Sequence, residues 1–332
     1  MSNKEVKKTS IGGQAVMEGV MMRGPHKMAV AVRKSDGEIV MKVDDNGTTK
    51  KSKILKLPIL RGCINFFSSL IIGIKALMYS AEFIDLEEDE ETESKFEKWL
   101  DTKFGDKVKD IVIYFSIALS LVLSIGLFIV LPTLVASGIN YLCSGELFSV
   151  PQWLKNTAES RVFYNVIEAV VKMSIFLTYM ALVSKMKEIK RVFEYHGAEH
   201  KTIACYEAGE ELTVENVKKH TRFHPRCGTN FLLFVMVISI VLFALLPKFD
   251  GDVVGILLRI GTRLALMPVV AGLSYEVIKL AGKCKNKCVG IFTKPGLWLQ
   301  RLTTREPDEN QIEVAIKSMQ AVIPENGEDD LW

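Results

Sequence analysis

The sequence lacks the cysteine pattern of small secreted proteins that are stabilised by disulfide bonds. Its six cysteines stand at scattered positions, and residues 1–53, which precede the first apolar run, are mostly polar. No segment there has the apolar centre and small-residue cleavage site of a signal peptide. We therefore expect no structural disulfide, and an N-terminus that stays in the cytoplasm.

The sequence also lacks a basic stripe interleaved with aromatic residues, so no nucleic-acid partner is expected. The net charge of +3 says little, because 42 basic and 39 acidic residues nearly cancel. What the chain has instead is 48% hydrophobic residues, gathered into long runs that the charged residues separate. This distribution is typical of a protein that crosses a lipid bilayer several times.

Four apolar runs are long enough to cross a bilayer as helices. They lie at residues 111–136, 162–183, 230–247 and 253–280. Lys and Arg are dense in the loops 184–228 and 281–301, whereas 137–160 and 248–252 carry only Lys155 and Lys248. The positive-inside rule then predicts a multi-pass membrane protein with both termini in the cytoplasm. The domains follow as transmembrane pairs at 111–183 and 230–281, a cytoplasmic loop at 184–229 and a cytoplasmic tail at 282–332.

A shorter apolar run, CINFFSSLIIGI, lies between Arg61 and Lys75. It holds too few uncharged residues for a span, so we expect residues 54–84 to form an interfacial or re-entrant helix. The alternative is a span whose charged ends reach the interface. Residues 85–110 follow as an acidic, hydrated connector.

The N-terminal residues 1–53 predict a small cytoplasmic fold. GGQAVMEGVMMRGP is punctuated by glycine, and KMAVAVRKSDGEIVMKV alternates apolar and polar residues on both sides of Ser35-Asp36-Gly37, as a β-hairpin does. In the tail, Pro307 opens an amphipathic helix whose apolar stripe would dock on this fold. The predicted fold class is therefore an α-helical integral membrane protein with about four transmembrane helices, an interfacial or re-entrant helix, and a small α+β cytoplasmic domain.

Two predicted spans carry charges at membrane depth. Glu168 and Lys172 are four residues apart in the second span, as are Arg259 and Arg263 in the fourth. Such charges are costly and usually face a bundle interior or water. A structural ion pair between helices and a polar pathway for a substrate both remain open.

The stretch YHGAEH places His196 and His200 one turn apart on a predicted helix, beside Glu199, and that helix should end at Gly209. Two imidazoles at this spacing can share one zinc ion. H-x-x-E-H is also the signature of inverted zinc peptidases, in which the glutamate is the general base.

A second cluster, KKHTRFHPRCGTN, adds His220, His224 and Cys227. Imidazole and thiolate are good ligands for Zn²⁺ or another divalent transition metal. The alternative is that these groups bind lipid phosphates or cap helices. A site that includes Cys227 could be closed and structural, whereas a site that leaves Glu199 free could be hydrolytic.

GGQAVMEGVMMRGP, YHGAEHKTIACYEAGEELTVENVKKHTRFHPRCGTNF and GLWLQRLTTREPDENQIEVAI together resemble the YqhQ family, and the resemblance covers nearly the whole chain. This family groups bacterial membrane proteins of unknown function that are described as predicted metal-dependent enzymes. The resemblance implies a bacterial plasma-membrane location but no substrate. It also implies functional roles for Gln14, Glu18, Arg23, His196, Glu199, His200, His220, His224, Arg226 and Cys227. The glycine-rich block would either bring Glu18 and Arg23 to the histidines or serve only as a structural turn.

Three functions remain open from the sequence. The first is a zinc-dependent hydrolase at the cytoplasmic membrane face, with Glu199 as base and with Glu18 and Arg23 as further catalytic candidates, acting on a lipid-linked or peptide substrate. The second is a non-catalytic scaffold or accessory factor of a translocation or envelope machine, with a structural metal site and a membrane-protein partner. The third is a transporter or channel, which four spans would form as a homo-oligomer.

Overall fold

A computed structural model gives the structure of this chain. It describes residues 9–45, 57–83, 106–143, 151–152, 156, 160–246, 253–283 and 287–324. The chain divides into two compact units, which are treated separately below. The first comprises Met1–Ile84, Met180–Ile238 and Pro268–Trp332, and the second comprises Asp85–Tyr179 and Ser239–Met267.

The secondary structure is mostly helical, with one small antiparallel sheet. The strands are β1 (Gly12–Val16), β2 (Gly19–Arg23), β3 (Lys27–Arg33) and β4 (Ile39–Asp45). The helices are α1 (Leu60–Ala81), α2 (Asp106–Ile125), α3 (Leu131–Cys143), α4 (Arg161–Val183), α5 (Lys187–Glu207), α6 (Val214–Lys219), α7 (Gly228–Leu245), α8 (Val253–Lys283), α9 (Lys287–Thr303) and α10 (Glu309–Gln320), and a π-helical turn, Gly126–Val130, joins α2 to α3.

The sheet is a meander in the order β1-β2-β3-β4. Strands β3 and β4 pair around Ser35-Asp36-Gly37, as the alternation of apolar and polar residues predicts. The glycine-rich block is more regular than its sequence indicates, because it forms the hairpin β1–β2 with a turn at Met17-Glu18. Glu18 adopts a positive φ of 49° there, a conformation that few non-glycine residues take.

Both faces of the sheet are covered, which is why so short a meander is stable. Val20 and Met22 of β2 point to one face and pack with buried residues of α5, α6 and α10. Met21 lies between them in sequence and points to the other face, where it packs near Ala76 of α1. The strand period of two residues thus divides one strand between two cores.

The tail helix predicted after Pro307 is α10. Asp308 caps it, because its side chain accepts a hydrogen bond from the Gln311 backbone N–H and the Gln311 side chain accepts one from the Asp308 N–H. The apolar stripe formed by Ile312, Ala315 and Met319 is fully buried against α5 and the sheet.

Helix α5 is largely buried from Tyr195 onward, and its glycine has a packing role. A Cβ at Gly197 would collide with the Arg305 carbonyl oxygen, so the chain between α9 and α10 passes directly against the helix. The Arg305 N–H donates to the Phe193 carbonyl at 2.8 Å, which holds that segment in place. The helix ends at Glu207, and Gly209 follows with the positive φ expected of a helix stop.

Helix α1 packs against the C-terminal part of α8 through small residues. A Cβ at Gly62 would lie 2.8 Å from the Gly272 carbonyl oxygen, so the two backbones nearly touch. Next to Gly62, the Arg61 guanidinium forms a two-pronged ion pair with Glu276. These contacts belong to the first unit and hold α1 against the C-terminal part of α8.

In the second unit, the four charged residues that were predicted to lie at membrane depth form ion pairs and hydrogen bonds. The guanidinium of Arg263 forms a two-pronged ion pair with Glu168, and it donates to the Thr133 hydroxyl at 2.6 Å. The Lys172 ammonium donates to Ser239 at 2.7 Å, and Arg259 donates to the Tyr164 hydroxyl at 2.6 Å. A small cavity of about 30 Å³ lies beside Glu168 and Lys172, with room for one or two water molecules.

Within the described residues, five helices are long and apolar enough to cross a membrane, which is compatible with a multi-pass membrane protein. They lie at Leu60–Ala81, Phe115–Cys143, Val162–Val183, Gly228–Leu245 and Leu257–Leu280. Four correspond to the predicted spans. The fifth, α1, is one continuous helix of 22 residues where an interfacial or re-entrant helix was expected, so its length does not set it apart from the others. Most of the predicted acidic connector, 85–105, lies outside the described residues.

Replacement of Gly197 by Ala should destabilise the protein, because the added methyl group meets the Arg305 carbonyl. We expect a loss of about 2 kcal/mol in the free energy of unfolding, typical of overpacking. Thermal unfolding in detergent, followed by tryptophan fluorescence, measures the loss. Gly138→Ala is the matched control, because Gly138 lies in α3 and, outside its own helical turns, no atom of the described residues lies within 4 Å of the position that its added methyl group would take. It should be neutral or stabilising by up to about 1 kcal/mol, and equal effects of the two changes would contradict the packing role of Gly197.

Candidate metal centre

Three side chains that the sequence singled out lie on one face of α5. His196 and His200 are one turn apart, and their ring centroids are 4.4 Å apart. Glu199 lies beside them, and both Glu199 and His200 are almost completely buried, with 4% and 1% exposure. The helical spacing thus produces the juxtaposition that the sequence predicted.

Backbone carbonyls fix the orientation and the tautomer of both histidines. Nδ1 of His196 lies 2.8 Å from the Thr303 carbonyl oxygen, and Nδ1 of His200 lies 2.6 Å from the Arg222 carbonyl oxygen. Because a carbonyl can only accept, each Nδ1 must carry the proton. In the neutral rings each Nε2 therefore has a free lone pair, which is the arrangement that metal-binding histidines usually have.

Cys227 completes a group of three possible ligands. Its Sγ lies 3.2 Å from Nε2 of His196, and the ligand atoms of His196, His200 and Cys227 all lie within 4.8 Å of one another. Tetrahedral zinc with bonds of roughly 2.0–2.3 Å would hold such atoms roughly 3.5 Å apart. A small contraction of this group would therefore satisfy one ion.

Two buried atoms at the centre have no hydrogen-bond partner among the residues that the structure describes. They are Nε2 of His200 and Oε2 of Glu199. An unsatisfied buried polar atom is costly, and at a native site it calls for an explanation such as an ion or a water molecule. Both atoms belong to the cluster that would hold a metal, so the residues present fit one.

The electrostatic environment is that of a desolvated site. Burial raises the pKa of Glu199, opposed by the nearby charges of His196 and His224 and by a hydrogen bond from the Gly13 backbone. Burial, together with the adjacent His196, lowers the pKa of His200. His200 is thus held as the neutral imidazole, the form that binds metals.

His224 lies beside this group, held by its backbone and by a charged network. The buried Gln300 side chain accepts from the His224 N–H at 2.9 Å and donates to its carbonyl at 2.7 Å. The His224 ring lies 5.6 Å from that of His200, and its Nε2 is 3.7 Å from a Glu207 carboxylate oxygen. Arg226 forms an ion pair with the same Glu207.

His220 belongs to a different group. Its Nε2 lies 3.1 Å from the Glu210 carboxylate, and Cys205 completes a set of three within 4.8 Å. Burial raises the pKa of Cys205 to about 11, which favours the thiol over the metal-binding thiolate. The two predicted histidines after α5 therefore lie in separate surroundings.

The glycine-rich hairpin brings its two charged candidates to other places. Glu18 forms a two-pronged ion pair with Arg191 and accepts from the Tyr195 hydroxyl at 3.2 Å, so it contacts α5 just before the histidines. Arg23 is exposed at the end of β2, beside a cleft that includes Gln14. Close to Glu199 itself, the hairpin contributes the backbone of Gly13.

The cluster opens into a cleft of about 550 Å³, within the usual range for a small-molecule site. His196, Glu199, His224 and Cys227 form part of its polar wall. The remaining walls come from the strand β1 and from residues of α1, α5 and α7, many of them apolar.

Several positioning groups could not be found from the sequence. The carbonyls of Thr303 and Arg222 are backbone atoms, which no residue type reveals. Gln300 and Thr303 do lie in the segment GLWLQRLTT, which carries part of the family resemblance. The residues of α1 and α7 that line the cleft could not be singled out either, because the sequence there indicates only an apolar helix.

Comparisons with known proteins agree with the sequence resemblance. The family described as a protein of unknown function, DUF1385, matches residues 57–325. An uncharacterized protein of Bacillus subtilis (strain 168), YqhQ, is 37% identical over 319 residues, which cover 94% of this chain and 92% of the relative. No solved structure matches the chain.

The ion pair of Glu207 and Arg226 should make stability depend on pH. Burial raises the pKa of Glu207, but His224, Arg226 and the Thr9 N–H outweigh burial and lower it below 4.5. A lowered folded-state pKa gives stability that is present above the unfolded pKa and is lost as the pH falls through the folded value. Glu207→Gln should therefore lower the free energy of unfolding by on the order of 3 kcal/mol at pH 7, and the difference from wild type should shrink below pH 4.5.

Chemical unfolding of both proteins from about pH 7 to about pH 3 measures this difference. Glu188→Gln is the control, because Glu188 is an exposed acid in the first turn of the same helix. A difference between Glu207→Gln and wild type that stays constant over this range would contradict the assignment.

Proposed function

The chain belongs to the DUF1385 family, the family of the Bacillus protein YqhQ, and from its site we propose that it is a metal-dependent hydrolase, with zinc as the metal, at the cytoplasmic face of the bacterial plasma membrane. The observation that carries the proposal is the pair of Nε2 lone pairs on His196 and His200, which lie near Cys227 beside the unpartnered carboxylate oxygen of Glu199. The family itself assigns no activity.

His196, His200 and Cys227 would hold the ion in this proposal. Three protein ligands leave a fourth tetrahedral position for water or substrate, the usual composition of a catalytic zinc site. Bound zinc supplies Lewis acidity, which makes a water molecule more acidic and polarises a carbonyl or phosphoryl group.

Glu199 would then take the proton from the attacking water. Its Oε2 lies 3.9 Å from Nε2 of His196, so the carboxylate is next to the side chains that would hold the ion. The Gly13 backbone donates a hydrogen bond to the carboxylate, and the burial of Glu199 excludes bulk water that would compete for the proton. His224, at the edge of the same cleft, is the candidate to protonate a leaving group.

A structural metal site is the second candidate function, and Cys227 is the observation that favours it. The same group joins α5, the segment before α7 and, through Thr303, the end of α9. An ion with four protein ligands would fasten these elements together and leave no open position. The chain would then serve as a membrane scaffold for a partner protein or for further copies of itself.

Metal content separates these possibilities from a site that holds no ion. Mass spectrometry of the protein purified in detergent should find about one zinc per chain in the wild type and almost none in His200→Ala. His220→Ala is the matched control, because it makes the same change in a histidine outside the group, and it should keep the ion. A wild type that takes up no zinc, nickel, cobalt or manganese when loaded would overturn the proposal.

Two further measurements test the open position. Glu199→Gln should retain the metal, since Glu199 is assigned the role of base and not of ligand. X-ray absorption of the zinc-loaded wild type should show one sulfur and two imidazoles, with a light atom that exogenous azide or cyanide displaces. Four ligands that no exogenous anion displaces would favour the structural site over the hydrolase.

A further inference from the structure

A second cleft adjoins the cleft at the candidate centre. The second has a volume of about 440 Å³ and shares with the first the residues Ser10, Gly12, Gly13, Gln14 and Ser69. The two clefts are therefore adjacent along the strand β1, and we call the pair the trough. Two of the candidate metal ligands, His196 and Cys227, line its first cleft. All of these residues belong to the first unit of the chain.

One end of this trough is cationic. Arg23 lines the second cleft, its side chain is exposed, and no carboxylate within the described part of the chain lies at ion-pair distance from it. Gly12 pairs with Arg23 in the sheet and has no side chain that could fill the second cleft. A guanidinium at the mouth of a backbone-lined groove matches a phosphate or another anionic group.

The other end is apolar and belongs to two candidate membrane spans. Phe66 of α1 and Phe231 of α7 pack together there, with ring centroids 5.5 Å apart. Leu70 and Leu232 continue the same wall and are 49% and 46% exposed. Because α1 and α7 are long and apolar enough to cross a bilayer, this end of the trough leads to a surface suited to hydrocarbon chains.

The reactive groups share the first cleft with the apolar end. Glu199, His196 and Cys227 line its wall together with the apolar residues of α1 and α7. Gly13 brings the strand β1 against the carboxylate, since a Cβ there would lie 2.8 Å from Cγ of Glu199. A molecule with a polar portion in the second cleft and an apolar portion in the first would therefore contact the candidate centre.

We propose that this trough binds a membrane amphiphile with a phosphate-bearing headgroup, with the headgroup at Arg23, the tail along the apolar wall that Phe66 and Phe231 form, and the bond to be hydrolysed at Glu199. The proposal rests on the proposed hydrolase function, for which it names the substrate class. A soluble peptide fits less well, because the apolar end of the trough lies on two candidate membrane spans. The binding itself does not depend on a metal.

Photocrosslinking to a lipid tests this proposal on the full-length protein. The wild type is reconstituted in nanodiscs that contain phosphatidylglycerol with a diazirine in its acyl chain, and labelled peptides are mapped by mass spectrometry. We expect labelling of the α1 and α7 segments around Phe66 and Phe231. Ser69→Trp should reduce this labelling about tenfold, because Ser69 lines both clefts and a bulky ring would fill the trough.

Matched controls separate the trough from the lipid-facing surface. Phe67→Trp places the same ring on an exposed position of α1 outside both clefts, and it should leave the labelling unchanged. Arg23→Gln should weaken competition by unlabelled phosphatidylglycerol about tenfold relative to wild type. Lys42→Gln removes a positive charge from β4, away from the trough. It should not weaken this competition. Retained thermal unfolding excludes misfolding as the cause in each variant.

The outcomes distinguish this proposal from the proposed function. Labelling that persists in His200→Ala and falls in Ser69→Trp supports the amphiphile site even if no metal binds. Equal labelling in Ser69→Trp and Phe67→Trp would overturn the site, while a bound zinc would leave the hydrolase standing. Complete displacement of the lipid by an equal concentration of water-soluble glycerol 3-phosphate would show that only a free phosphate is bound and would also overturn it.

Discussion

Two hydrogen bonds from histidine Nδ1 atoms to backbone carbonyls set the chemistry of the candidate centre. They join α5 to the Thr303 carbonyl at the end of α9 and to the Arg222 carbonyl in the loop after α6. Because they fix the proton on Nδ1, both Nε2 lone pairs are available beside Cys227 without a choice of tautomer. Loss of either segment would leave the ring free to rotate. The centre therefore depends on chain segments far from the histidines in sequence.

The surrounding packing explains how those segments are held. Gly197 lets the chain at Arg305 pass directly against α5, and Gln300 pairs with both backbone groups of His224. The sheet, buried on both faces, supports α5 from one side and places β1 along the cleft. Close packing of this kind can hold reacting groups within the narrow tolerances that catalysis requires. It also sets α1 and α7, two candidate spans, as walls of the same cleft.

Much of this arrangement could be predicted from particular patterns. The i, i+4 spacing of His196 and His200 predicts a shared helix face, and the alternation around Ser35 predicts the β3–β4 hairpin, because both rest on local periodicity. The sequence could not predict that His220 and His224 lie in different groups of side chains, since this depends on the loop after α6. Nor could it predict the partner of Glu18, which is Arg191 on α5. The glycine-rich block suggested turns, and its strand pairing became visible only with β3 beside it.

The sequence by itself determined the apolar helices, the amphipathic tail helix and the supply of metal-type side chains, because periodicity and composition are local properties of the chain. Only the tertiary structure decided which of those side chains meet. Cys227 reaches His196 across 31 positions, and Thr303 reaches it across 107. Such contacts depend on the packing of whole elements and, at Thr303, on a backbone atom that every residue carries. For that reason the sequence shows which residue types could bind a metal. Which of these residues come together, and how their side chains are oriented, is decided by the fold.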